Sequence, residues 1–162
     1  MDTARRLEPG LYGYEDLSIG DYFDTSGIMV TEAHVVAFAG ISGDHFDVHM
    51  DEEYAQSEGF PGRIAHGLLG LSMADGLKNR SPVRLKGIAS LGWNWSFRGP
   101  ILIGDRIQVR VSVKEKRMTR RPERGIVTLR FEVSNQRGEI VQDGDTLLLT
   151  ACAVADAVAD AG

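Results

Sequence analysis

Apolar residues fall on alternate positions through most of the second half of the chain. DRIQVRVSVKEKRM (residues 105–118) sets Ile107, Val109, Val111 and Val113 against polar partners, and GIVTLRFEVSNQ (125–136) does the same with Val127, Leu129, Phe131 and Val133. A period of two sends successive side chains to opposite faces of a strand, so each segment predicts a half-buried strand. GIASLGWNWSFRG (87–99) carries Leu91, Trp93, Trp95 and Phe97 at the same period, and EIVQDGDTLLLTACAVA (139–155) returns the chain after a turn at Gln136-Arg137-Gly138. Together they predict a long antiparallel meander.

The first half has a different rhythm. DYFDTSGIMV (21–30) reads as a strand of weak alternation. Thr31 is placed to cap a helix through AHVVAFAG, with Glu32 in the favourable first turn and Gly40 and Gly43 ending it. A short helix begins at the cap Asp51. The main helix is AHGLLGLSMADGLK (65–78), whose Leu68, Leu69, Leu71, Met73 and Leu77 leave little polar circumference and predict burial. Gly67, Gly70 and Gly76 lower helix propensity there, which points to close packing against another backbone. A mostly buried helix followed by a meander predicts an α+β fold, one domain over residues 1–162, with 1–13 as an N-terminal arm and 156–162 as a flexible tail. An exposed sheet edge would need a partner, so a homodimer is expected.

Composition narrows the function. The chain has 162 residues, 43% hydrophobic and 25% charged, with a net charge of −5, which disfavours nucleic acid as a partner. The single cysteine, Cys152, cannot form an intrachain disulfide and fits a reducing compartment. MDTARRLEPG lacks the apolar core of a signal peptide, and IAHGLLGLSMADGL is too short and too polar to span a bilayer. The expectation is a cytoplasmic protein with no membrane partner.

The candidate chemistry lies in SGDHFDVHMDEEYA (42–55), which crowds Asp44, His45, Asp47, His49 and Asp51 into eight positions. Asp51, Glu52 and Glu53 suit a helix cap and first turn, and His45 and Asp47 read as solvated loop residues. Asp44 and His49 differ. On one uninterrupted helix they would lie about 140° apart, so they meet only if the segment turns. An imidazole beside a carboxylate can hold a water for acid/base chemistry near neutral pH. A metal is a weaker reading: His45 and His49 have i,i+4 spacing, but HFDVH lacks the glutamate of a zinc protease and no later cluster offers a third ligand.

These residues resemble the MaoC-like family of (R)-specific enoyl-CoA hydratases. Gly43-Asp44-His45-Phe46-Asp47-Val48-His49-Met50-Asp51 matches its Gly-Asp-x-Asn-Pro-aliphatic-His pattern and the Asp beyond. Phe60 with Ile64-Ala65-His66-Gly67 matches its aliphatic-Ala-His-Gly run, and Phe97-Arg98-Gly99-Pro100-Ile101-Leu102-Ile103-Gly104-Asp105 matches a third stretch. The resemblance implies a hotdog fold, a long antiparallel sheet wrapped around a central helix. It implies hydration of a trans-2-enoyl-CoA, or the reverse dehydration, by water held between Asp44 and His49, with the Gly67 amide on the thioester oxygen. Phe46, Asp47, Phe60, Arg63 and His66 are expected to contact substrate. Arg84 and Lys86, in the basic run KNRSPVRLK, are expected to meet the nucleotide end of coenzyme A. No metal or separate cofactor is expected. Phe46-Asp47 replaces the pattern's Asn-Pro, and Phe46 is expected to wall an acyl pocket for a non-standard acyl group. A thioesterase on the same fold, and a non-catalytic acyl-CoA or acyl-carrier-protein binding module, are the alternatives.

Overall fold

The computed structural model describes residues 4–153; the expected tail at 156–162 lies outside the described residues. Three short strands open the chain: β1 (Gly10–Tyr12), β2 (Tyr22–Asp24) and β3 (Ile28–Met29). Four helices follow: α1 (Glu32–Ser42), α2 (Asp47–Met50), α3 (Glu52–Ser57) and α4 (Gly67–Asn79). The rest is β4 (Val83–Leu85), β5 (Gly87–Phe97), β6 (Arg106–Met118), β7 (Arg124–Ser134) and β8 (Ile140–Ala151).

The main sheet runs β2-β6-β7-β8-β5, with β3 also pairing β6, and its pairings are antiparallel. The period-two segments place their apolar sets as expected. Ile107, Val109, Val111 and Val113 of β6 and Val127, Leu129, Phe131 and Val133 of β7 are all buried. Leu69, Ala74 and Leu77 of α4 join them in one core. Burying a leucine-sized side chain contributes about 1.5–3 kcal/mol, so this contact is a main reason the sheet closes on α4.

Three expectations change. The 21–30 run is two strands, because the chain breaks at Thr25, whose Oγ1 accepts from the Val109 amide. The 87–99 alternation fails at Leu91: register shifts lie between Gly87 and Ala89 and between Ser90 and Gly92. Trp93 and Trp95 pack on Phe131, whereas Leu91 and Phe97 are exposed. Finally, α4 is not buried over most of its circumference, since Leu68, Ser72 and Gly76 form an exposed stripe. Gly76 has open space where a Cβ would go, so close packing does not explain it.

The arm is docked from its first described residues. Leu7 is buried, Arg5 pairs with Asp21 at 2.6 Å, and β1 runs parallel to β4, a strand hidden in the basic run.

Candidate active site at the N-terminus of the buried helix

The acid–histidine segment turns sharply twice. Thr31 caps α1 in a reciprocal capping box with His34, and Gly43 closes the helix in the left-handed region at φ 79°. A residue with a Cβ is strained there. Asp44 then folds its own loop, its Oδ1 accepting from the Phe46 amide at 3.2 Å. The single turn of α2 follows, and Asp51 caps α3 by accepting from the Tyr54 amide. The α2 turn was not legible in the pattern. It carries Val48 and His49 inward and leaves Asp47 in solvent.

These turns bring Asp44, His49 and His66 together, with one ligating atom of each within 4.8 Å of the others. The Nδ1 of His49 lies 2.7 Å from the Ile64 carbonyl. A carbonyl only accepts, so Nδ1 carries the proton and Nε2 keeps a lone pair. Burial is the main cause holding the His49 pKa below its ordinary 6.5. The neighbouring His66 adds to the lowering, while the Ile64 carbonyl and Asp44 pull the other way. His49 is therefore a neutral base at neutral pH.

His66 sits behind this pair. It is 2% exposed, its Nε2 donates to the Asp44 carbonyl at 2.8 Å, and its ring stacks on His49 with centroids 3.9 Å apart. Its Nδ1 is buried without a hydrogen-bond partner. The structure thus places His66 against Asp44 and His49 and not on the cavity wall expected of a substrate contact. Two imidazoles and a carboxylate are also a donor set for a divalent metal. His49 Nδ1 and His66 Nε2 are committed to carbonyls, which leaves His49 Nε2, His66 Nδ1 and the Asp44 carboxylate as the free donors.

His49 opens onto a cavity of about 340 Å³ whose walls include Phe60, Gly67, Phe97, Arg98 and Gln142. Gly67 is the first residue of α4, and His66, its cap, makes no side-chain capping bond. The first-turn amides of a helix lack intrahelical partners and sit at the positive end of its dipole. A Cβ on Gly67 would come within 2.6 Å of the Phe97 ring, so the position is also sterically reserved.

Gln142 went unnoticed in the sequence. It is 2% exposed, its Oε1 accepts from the Trp95 indole at 3.1 Å, and its Nε2 donates to the Gly67 carbonyl at 3.0 Å. An indole only donates and a carbonyl only accepts, so the amide has one orientation. The signal was available: Gln142 precedes Gly144, Thr146 and Leu148 on one register of β8, a polar residue at the head of a buried set.

The remaining expected contacts scatter. Phe60 lines the cavity. Phe46 does not; it is 57% exposed and packs edge-on to His49 and Tyr54. Phe46 thus backs the imidazole and is not the acyl wall expected of it. Asp47 is exposed at the start of α2. Arg63 pairs with Glu32 at 2.6 Å and Glu52 at 3.8 Å and borders a different cavity, with Leu102 and Ile103. Arg84 borders a cavity with Asp75, Lys78 and Asn79 at the far end of α4. Lys86 lies at the β4–β5 junction, its backbone bonded to Tyr12 and Ala151.

Comparison with known proteins shows the family and the fold. The family model described as MaoC like domain matches residues 16–135, and the chain belongs to that family. It is 40% identical over 112 residues to Protein MaoC of Klebsiella aerogenes, covering 68% of this chain but only 33% of that longer protein. It is 30% identical to an (R)-specific enoyl-CoA hydratase of Rhodospirillum rubrum, covering 86% of this chain and 92% of the relative. A crystal structure of a MaoC-like dehydratase from Rhodospirillum rubrum superposes with a TM-score of 0.80 at 34% identity, over 86% of this chain and 97% of the other. A double-hotdog protein of Mycobacterium tuberculosis matches at TM-score 0.79 and 22% identity, over 91% of this chain and 46% of its own, and places the architecture in the hotdog fold.

Proposed function

We propose that the protein is a lyase that adds water to a trans-2-enoyl-CoA to give the (R)-3-hydroxyacyl-CoA, and catalyses the reverse dehydration. The observation that carries this reading is the fixed tautomer of His49, which leaves Nε2 as a lone pair beside Asp44 and opens onto the cavity that also exposes the start of α4. A water held between Asp44 and His49 gives its oxygen to C3, and a proton reaches C2, with carboxylate and imidazole acting as one unit. Negative charge collects on the thioester oxygen as the enolate forms. An aligned amide at Gly67, at the positive end of α4, stabilises that charge. The relative from Rhodospirillum rubrum, named for this activity and aligned over most of both chains, supports the assignment. Coenzyme A enters as part of the substrate, and no separate cofactor is needed.

The working unit is a homodimer formed through β5. Among the described residues that strand ends the main sheet with one edge unpaired, and Ile88, Leu91 and Phe97 on it are each about half exposed. Pairing two copies across such an edge satisfies its amides and covers its apolar side chains. The proposed location is cytoplasmic; no helix among the described residues is long and apolar enough to cross a membrane.

The test is a panel of trans-2-enoyl-CoAs monitored for loss of the conjugated absorbance, with chiral analysis of the product. Hydration to the (R)-alcohol is expected. Release of free thiol without hydration identifies a thioesterase instead, and binding without either reaction identifies a binding module. Solution mass, expected at twice the chain mass, tests the dimer.

A further inference from the structure

The three basic side chains expected to meet substrate, Arg63, Arg84 and Lys86, do not line the reactive cavity; Arg98 does, and it is the one formally charged residue among those lining it. Its backbone is fixed from two sides. The Arg98 and Gly99 amides both donate to the Val141 carbonyl at 2.8 and 3.0 Å, and three residues on, the Ile101 carbonyl accepts from the Ala65 amide at 2.7 Å, just before α4. The guanidinium is oriented too. Its Nε donates to Asp143 Oδ1 at 2.8 Å. Among the described residues the two terminal nitrogens have no partner. The Asp143 carboxylate is shared with Arg130, which also pairs with Asp145, and Asp145 in turn pairs with Lys114, so this network of three cations and two carboxylates keeps positive charge in excess. The side chain is 56% exposed, at the rim and not the floor of the cavity.

We propose that Arg98 is a substrate-binding residue that takes an anionic oxygen group of the thioester through the free edge of its guanidinium. This rests on the hydratase reading and adds where the charged part of the substrate docks. A planar fork held by one nitrogen, with two nitrogens open, suits bidentate recognition of a phosphate or carboxylate oxygen pair. On a protein of net charge −5, a fixed cation at the rim also gives the anionic substrate a preferred entry. The anion is either a phosphate of the coenzyme or a carboxylate on the acyl group, and the chemistry of the contact is the same.

The experiment compares wild type, Arg98→Gln and Arg98→Lys on three thioesters: crotonyl-CoA, crotonyl-pantetheine and a carboxylated 2-enoyl-pantetheine. Arg130 still pairs Asp143 in the variants, so the fold is expected to stand, and thermal unfolding checks it. A KM raised about tenfold with kcat within about threefold, partly recovered by Arg98→Lys, is the expected result on the anionic substrate. Loss confined to crotonyl-CoA assigns the contact to phosphate; loss confined to the carboxylated pantetheine assigns it to the acyl group. A KM unchanged on all three thioesters overturns the proposal and leaves Arg98 a structural partner of Asp143. A wild type that turns over none of them overturns the hydratase reading instead. Calorimetry with coenzyme A and with the carboxylated thioester then decides Arg98 separately: weaker binding of either by Arg98→Gln supports the contact, and equal binding of both overturns it.

Discussion

The two ends of α4 hold similar residue types and use them in opposite ways. At the C-terminal end, Lys78 is largely buried and pairs with Asp75 at 2.7 Å, and Asn79 donates to the same carboxylate. Acid and base neutralise each other, and the cation suits the negative end of the helix dipole. At the N-terminal end, Asp44 and His49 stand within 4.8 Å but are held apart by other partners: His49 by the Ile64 carbonyl, Asp44 by the Phe46 amide and by His66 on its carbonyl. A pair that consumes its own hydrogen bonds stabilises structure. A pair anchored from outside keeps lone pairs free, and His49 lines a cavity, so that end is the one proposed to react.

The largest effect should come from emptying the N-terminal pair. His49→Gln and Asp44→Asn are each expected to lower kcat by at least about a hundredfold with the melting transition nearly unchanged. Near-normal turnover in either folded variant removes the distinction between the two ends.

Next is the amide. Gly67→Ala pushes a methyl against Phe97, whose ring would lie 2.6 Å from the new Cβ. Because the clash is with the far end of a side chain that can shift, a loss of about tenfold in kcat is expected, recovered by Phe97→Leu. Gly67→Pro in the same Phe97→Leu background also removes the amide proton and should not recover; a cost of about 3–4 kcal/mol in the barrier is expected. Proline is tolerated in a first helical turn, so the fold should survive. Equal turnover by the alanine and proline versions would show that the amide plays no part.

A smaller loss is expected for Gln142→Met with Trp95→Phe, which removes both ends of the bridge so that no indole N–H is stranded. Unpinning the Gly67 carbonyl should lower kcat about fivefold to twentyfold and leave KM within about threefold. A change in melting temperature alone would mean that the bridge is only structural.

The pH dependence follows from His49. Its folded pKa lies below 6.5. Hydration, which needs the neutral ring, should hold at neutral pH and fall as pH drops through that lowered value. Stability moves the same way. Above about 6.5 neither state binds the proton; below it the unfolded chain binds first, so stability falls with pH until the folded value is passed. The acid loss of stability should be shallower in His49→Gln, and identical acid limbs in the two proteins would argue against it.

The smallest effects belong to the C-terminal end. Asp75→Asn leaves Lys78 largely buried without its carboxylate, and about 1–3 kcal/mol of stability should be lost. That corresponds to a melting shift of several degrees for a chain of this length. Arg84→Gln should raise KM by less than about threefold, well short of the Arg98 effect. If Arg84 matters more than Arg98, the polarity of the helix has been read backwards.

Period-two alternation determined β6 and β7 because one register buries every apolar side chain and the other exposes them all. The caps at Thr31 and Asp51 were equally local, since each depends on a side chain reaching an amide within three residues. Asp44 and His49 were picked out by type and position, and Gly67 by the resemblance to the MaoC-like family. What lay beyond the sequence was anything requiring distant segments to meet. Whether Asp44 and His49 converge depends on two turns and on a carbonyl fifteen residues away at Ile64. Phe46 turned from expected pocket wall to backing for an imidazole because α2 rotates it outward. Gln142 reaches Gly67 across 75 positions, and Arg98 meets Asp143 across 45. Local chemistry is written in neighbouring residues, but a site assembled from chain segments this far apart is decided by how the sheet closes on its helix.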